Sequence, residues 1–282
     1  MPLFDAIGGC DVKETHMSAT APSDLIRIPV GTAETMREIA ILVRPASASN
    51  DNAAFVWLGG YRSDMTGTKA IELDALAETL GTECIRFDYS GHGVSGGAFR
   101  DGTISRWLEE ALAVLDHTKP KSVVLVGSSM GGWIALRVAQ ELKKRGGSPK
   151  VEGMVLIAPA PDFTGELIEP HLTEEQRQSL AVNGYVEEPS EYSSEPDIYT
   201  RDLLEDGARN RVLTGIIETG CPVHILQGMN DRDVPYEHAL KLMEFLPADD
   251  VTLTLVRDGD HRLSRPQDIE KMRGAIMGLI NK

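Results

Sequence analysis

A chain of 282 residues can bury a full core in one α/β domain, and 41% hydrophobic with 25% charged residues is an ordinary globular composition. The formal net charge of −15 excludes roles that need attraction to nucleic acid or to an anionic membrane surface. Cys10, Cys84 and Cys221 are odd in number and scattered, which excludes a disulfide frame or a zinc site and reads as reduced thiols of a cytoplasmic protein.

The first 21 residues carry Asp5, Asp11 and Glu14 without a basic or an apolar block, so neither a signal nor a transit peptide is expected. No apolar run approaches a membrane span. Leu25–Val30 and Arg37–Val43, with Gly31 between them, predict an antiparallel hairpin at a sheet edge. Ala53–Leu58 is continuously apolar and suits a buried strand. Lys69–Leu80 is amphipathic, with Gly81 placed to end it as a helix. Cys84–Asp88 predicts a strand, and Trp107–Asp116 a helix stopped before Pro120.

Ser122–Val126 is the next strand and Gly132–Leu142 the helix after it, followed by strands at Gly153–Ala158, Val223–Gln227 and Val251–Val256. The alternation predicts an α/β fold, a mostly parallel eight-stranded sheet with helices on both faces and a ligand site beyond the strands' carboxyl ends. Residues 161–220 are too long for a plain connection within this single domain. They hold helix-like pieces at Thr173–Ala181 and Ile198–Leu213 around a Glu- and Pro-rich stretch from Tyr185 to Tyr192. A cap over the strand ends is the favoured reading, a solvated surface excursion the other.

Between the fifth strand and its helix lies Gly127-Ser128-Ser129-Met130-Gly131, a sharp turn with a serine at its apex. Two small residues let the turn bend tightly, so the Ser129 hydroxyl can stand exposed at the strand end. A serine hydroxyl at pH 7 needs a base, and the base needs an acid to hold its tautomer. In enzymes built on such an elbow, the acid and then the histidine follow the serine along the chain. Asp231, just past one strand, and His261, just past the next, supply that order. Asp233 competes for the acid role but reads better as a cap for the segment beginning at Val234-Pro235.

Among the other histidines, His171 and His238 read as helix-associated surface residues, His224 as a strand residue and His117 as a helix end. His16 sits in a tail, and His92 in a glycine-rich loop reads as structural. Oxyanion donors are expected from the N–H of Met130 and the N–H of Tyr61, which follows Gly59-Gly60. Met65, Met130, Trp133 and the insertion are placed in an apolar acyl pocket, with core packing the competing reading for Trp133.

With these motifs in place, the chain from about Ile26 onward resembles the α/β-hydrolase-fold serine hydrolases. Within them it is similar to the mitochondrial abhydrolase-domain family of animals described as S-depalmitoylases and acyl-glucuronide esterases, together with its bacterial relatives. The resemblance is carried by residues 60–70, 86–95, 126–133 and 221–235, and by Asp260-His261-Arg262. It implies Ser129, Asp231 and His261 as the triad and hydrolysis of acyl esters or thioesters. The chain departs from the animal family in lacking a presequence, which points to a bacterial cytoplasmic relative.

The expected reaction needs no metal or organic cofactor, and its partner is a small-molecule or acylated substrate. A serine peptidase of the same fold is the second reading, and a non-catalytic binding module the third.

Overall fold

The computed structural model of the protein describes residues 25–47, 52–190, 196–246 and 250–280. Cys10, His16, Tyr192 and the amino-terminal stretch read as free of a leader lie outside the described residues. β1 (Leu25–Val30) and β2 (Arg37–Arg44) form the expected antiparallel hairpin, registered from Leu25 opposite Leu42 to Val30 opposite Arg37. β3 (Ala54–Leu58) follows, then α1 (Thr68–Leu80), which ends at Gly81 with φ +62°. β4 (Cys84–Phe87) leads to α2 (Ile104–Thr118). That helix begins earlier than the apolar pattern predicts, because Thr103 Oγ1 accepts the Arg106 N–H at 3.2 Å and caps it.

β5 (Ser122–Ser128) runs through the elbow into α3 (Met130–Lys144), and β6 (Lys150–Ile157) comes next. The insertion then holds α4 (Glu174–Asn183), β7 (Tyr185–Glu188), β8 (Asp197–Thr200) and α5 (Arg201–Arg209). The chain returns to the sheet through β9 (Val223–Gly228), α6 (Tyr236–Phe245), β10 (Val251–Val256) and α7 (Pro266–Ile280).

The main sheet has eight strands in the order β1-β2-β4-β3-β5-β6-β9-β10, parallel from β4 onward. This is the fold class expected. Alternation along β5 divides the core between the two faces. Val123 and Leu125 pack with Trp107 of α2 and Trp133 of α3. Val124 and Val126 pack with Leu73 of α1 and Met272 of α7 on the opposite face. All four β5 side chains are fully buried, each contributing about 1.5–3 kcal/mol, so the strand that carries Ser129 is a rigid support.

One element of the insertion differs from expectation. Ile198–Thr200 is extended, not helical, with Tyr199 opposite Val186 in the β7–β8 pair. Thr200 Oγ1 accepts the Leu203 N–H at 3.1 Å, so the helix starts only at Arg201.

Candidate active site

Ser129 sits at φ +54° and ψ −120°, a conformation that non-glycine residues rarely adopt. Three main-chain hydrogen bonds hold it there. Its N–H donates to Ile157 O at 2.9 Å, and its carbonyl accepts from Gly132 N–H at 2.9 Å and Ala160 N–H at 3.1 Å. The flanking glycines are required by close approach: a Cβ on Gly131 would lie 2.0 Å from Leu58 O, and one on Gly127 would lie 2.4 Å from Gly131 O.

His261 reaches the elbow from the loop after β10, its Nε2 lying 3.1 Å from Ser129 Oγ. Its Nδ1 is 2.8 Å from Asp231 Oδ2 in the loop after β9. The structure therefore brings all three expected residues together. Asp231 is itself over-determined: Oδ1 accepts the Asp233 and Val234 N–H groups at 3.0 and 2.9 Å, and Oδ2 also accepts Gln227 Nε2 at 3.0 Å. Asp233 is exposed, and Pro235 holds the position that begins α6. Asp231, Asp233 and His261 offer metal-ligand atoms within 4.8 Å of one another, a clustering that the Asp231 hydrogen bonds already explain. His238 is buried, not on the surface, with Nε2 2.8 Å from Pro161 O.

Two supporting residues escaped sequence reasoning. Gln227 is fully buried at the end of β9, and its amide also donates to Val234 O at 2.9 Å. A glutamine near the end of a strand that is apolar apart from His224 was the available signal. Lys69, in the first turn of α1, donates to the main-chain oxygen of Arg262 and so ties α1 to the His261 loop. Burial lowers its ammonium to about 8.

Gly60 and Tyr61 border the same cavity as Ser129 and Met130. The Met130 N–H stands at the first position of α3, where no carbonyl one turn back can accept it. The Gly60 Cα closely approaches the elbow, since a Cβ there would lie 3.3 Å from Ser129 Cβ. The loop beyond Tyr61 is anchored from below by the 88–95 turn. Asp88 Oδ1 accepts the Met65 N–H at 2.7 Å, and His92 Nε2 accepts the Arg62 N–H at 3.2 Å.

The His92 Nδ1 lies 3.1 Å from Ser90 O, which can only accept, so Nδ1 carries the proton of a neutral ring. Burial pushes the His92 pKa down to about 4. Above pH 6.5 the ring is neutral folded or unfolded. Between about 6.5 and about 4 only the unfolded chain takes up the proton, so folding stability is lost as pH falls. His92→Gln keeps an acceptor without a titrating group. Urea unfolding at pH 7 and pH 4 should show the variant losing roughly 3 kcal/mol less than the wild type over that range. Equal losses would reject a neutral structural role for His92.

A cavity of ≈ 780 Å³ opens over Ser129 and His261. Phe163, Leu167, Ile168 and Tyr199 of the insertion share its apolar lining with Trp57, Met130 and Val234, while Arg62, Asp64, Lys69 and Arg262 make it polar elsewhere. Met65 and Trp133 do not line it, which corrects their expected place in the pocket. Met65 is 2% exposed, its main-chain oxygen taken by Arg86 Nη1 at 2.9 Å. Trp133 is fully buried beneath the insertion, donating from Nε1 to Asn210 O at 3.1 Å and meeting the Phe163 ring edge-on at 5.7 Å.

A family model described as "Alpha/beta hydrolase family" matches residues 53–271. The sequence is 33% identical over 231 residues to the palmitoyl-protein thioesterase ABHD10, mitochondrial, of Mus musculus, covering 80% of this chain and 75% of that protein. Among solved structures, a putative hydrolase from Agrobacterium vitis S4 superposes with a TM-score of 0.90 at 68% identity, covering 92% of this chain and 100% of that one. Alpha/beta hydrolase domain-containing protein 10 from mouse superposes with a TM-score of 0.79 at 28% identity, covering 92% and 99%.

Proposed function

The chain belongs to the alpha/beta hydrolase family, and from that premise we propose that it is a serine hydrolase cleaving carboxylic esters or thioesters of apolar acyl groups. The observation that carries this reading is the continuous hydrogen-bonded line Ser129–His261–Asp231, at 3.1 and 2.8 Å. Ser129 Oγ attacks the acyl carbonyl while His261 Nε2 takes its proton. His261 then gives that proton to the leaving alkoxide or thiolate, and Asp231 steadies the imidazolium. The N–H groups of Tyr61 and Met130 hold the oxyanion in the low-dielectric site. Water, deprotonated by the same imidazole, releases the acid from Ser129.

The name of the mouse relative, a palmitoyl-protein thioesterase, supports the thioester arm. Phe163, Leu167 and Ile168 of the insertion, taken as a cap, support an apolar acyl site. An aminopeptidase would need an acid for the free amine of its substrate, and the insertion's cavity acids are engaged: Glu188 accepts from Gln176 at 2.9 Å, and Asp197 lies 3.4 Å from Arg62. The proposal includes a cytoplasmic location, in keeping with Cys84 and Cys221, which form no disulfide. No helix among the described residues is long and apolar enough to cross a membrane.

The test is a panel of p-nitrophenyl esters, acyl-CoAs and aminoacyl amides. From acetyl to medium-chain esters kcat/KM should rise by about fourfold per CH₂, the equivalent of ~0.8 kcal/mol each. A strict preference for acetyl, or faster turnover of aminoacyl amides, would reject the apolar acyl site.

A further inference from the structure

Tyr61 belongs to two parts of the molecule at once. Its main chain lies in the loop beside Ser129, and its side chain is held by the insertion. The phenol O–H donates to the Ile198 carbonyl in β8. The ring stacks on Tyr199, centroid to centroid 5.6 Å with 19° between planes, and meets Phe163 edge-on at 5.9 Å. The next residue continues the contact, with Arg62 Nε 3.4 Å from Asp197 Oδ1. Three consecutive residues of β8 thus grip two consecutive residues of the oxyanion loop. On its other side the loop rests on His92 and Asp88. Tyr199 and Phe163 both line the cavity, so whatever fills its apolar part touches the residues that hold the Tyr61 ring.

We infer that β8, acting through the Tyr61 side chain, sets the position of the Tyr61 N–H, so that an acyl chain seated against Tyr199 and Phe163 is read out in kcat. Tyr61 is in this respect a positioning residue for its own main-chain donor. The inference rests on the serine hydrolase reading. Its physical basis is the steep geometry of oxyanion stabilisation: donors act within a few tenths of an ångström of their working distance, and losing one costs about 10²–10³-fold in kcat. A short acyl group leaves the cap contacts unused, so chain length and donor placement become coupled. Binding energy remote from the carbonyl is then expressed in the transition state instead of in KM.

The experiment compares wild type with Tyr61→Phe, which removes the phenol–carbonyl bond and keeps the ring, on acetyl and octanoyl p-nitrophenyl esters. Thermal unfolding is followed alongside. For the octanoyl ester kcat should fall by about tenfold or more, for the acetyl ester by about threefold or less, with KM held within about twofold for both. Equal kcat losses on the two esters, a loss confined to KM, or no loss would overturn the inference. A residue serving only to fill the core would move the unfolding temperature without this split. Should Tyr61→Phe not fold, Tyr199→Leu must give the same chain-length-dependent fall in kcat, and its absence would equally overturn the inference. A wild type that turns over no ester rejects the hydrolase reading and this inference with it. An active wild type with an indifferent Tyr61→Phe rejects the inference alone.

Discussion

Ser129→Ala is expected to lower kcat for ester hydrolysis by a factor on the order of 10⁶, the scale seen when a triad nucleophile is removed. Unfolding temperature should barely change, because the conformation of residue 129 is held by main-chain bonds to Ile157, Gly132 and Ala160. The lost atom makes its hydrogen bond to His261 Nε2. Ser128 supplies the contrast. It closes β5 opposite Ile157 in the sheet register, one residue short of the apex. Ser128→Ala should therefore keep kcat within about fivefold, a difference of about 1 kcal/mol. Steady-state kinetics on one medium-chain ester checks both variants, and comparable losses from the two would sink the assignment of the nucleophile.

Asp231→Asn should lower kcat by about 10⁴, through the tautomer of His261 and not through a loss of fold. An asparagine can still offer an oxygen to the Asp233 and Val234 N–H groups that now bind Oδ1. Its amide nitrogen then stands where Oδ2 accepts from His261 Nδ1. A donor there forces the proton onto Nε2, which can no longer take one from Ser129. Asp233→Asn should change kcat by less than about fivefold, since the exposed Asp233 charge is screened by solvent and the His261 tautomer is set by Asp231 Oδ2 at Nδ1. If Asp233 proved the more sensitive position, the acid would have to be reassigned.

The elbow was legible because each of its requirements is local. The continuously apolar, fully buried run Val123–Val126, glycines at 127 and 131 where a Cβ would meet main-chain oxygens, and a serine between them are all visible in a short window. Asp231 and His261 were legible because parallel strands deliver their following loops to one edge. The insertion was read less well. Nothing local separates Ile198–Thr200 from the helix after it, and the strand exists because Val186 lies opposite Tyr199. Met65 and Trp133 show the same boundary, as an apolar residue near the serine looks alike in sequence whether it faces the cavity or the core.

The terminal helix α7 was missed although it carried a signal, with proline at its first position and Ile269, Met272 and Ile276 at helical spacing. The grip of β8 on Tyr61 had no such signal. It spans 137 positions of chain and depends on how the insertion folds back over the loop.

Covalent labelling decides whether Ser129 is the nucleophile. Folded protein is treated with a fluorophosphonate, digested, and the modified peptide located by mass spectrometry. A single adduct on Ser129 is expected, formed at a rate that collapses in His261→Ala, with no adduct in Ser129→Ala. A folded protein that takes up no label, or carries it on another residue, would contradict that assignment.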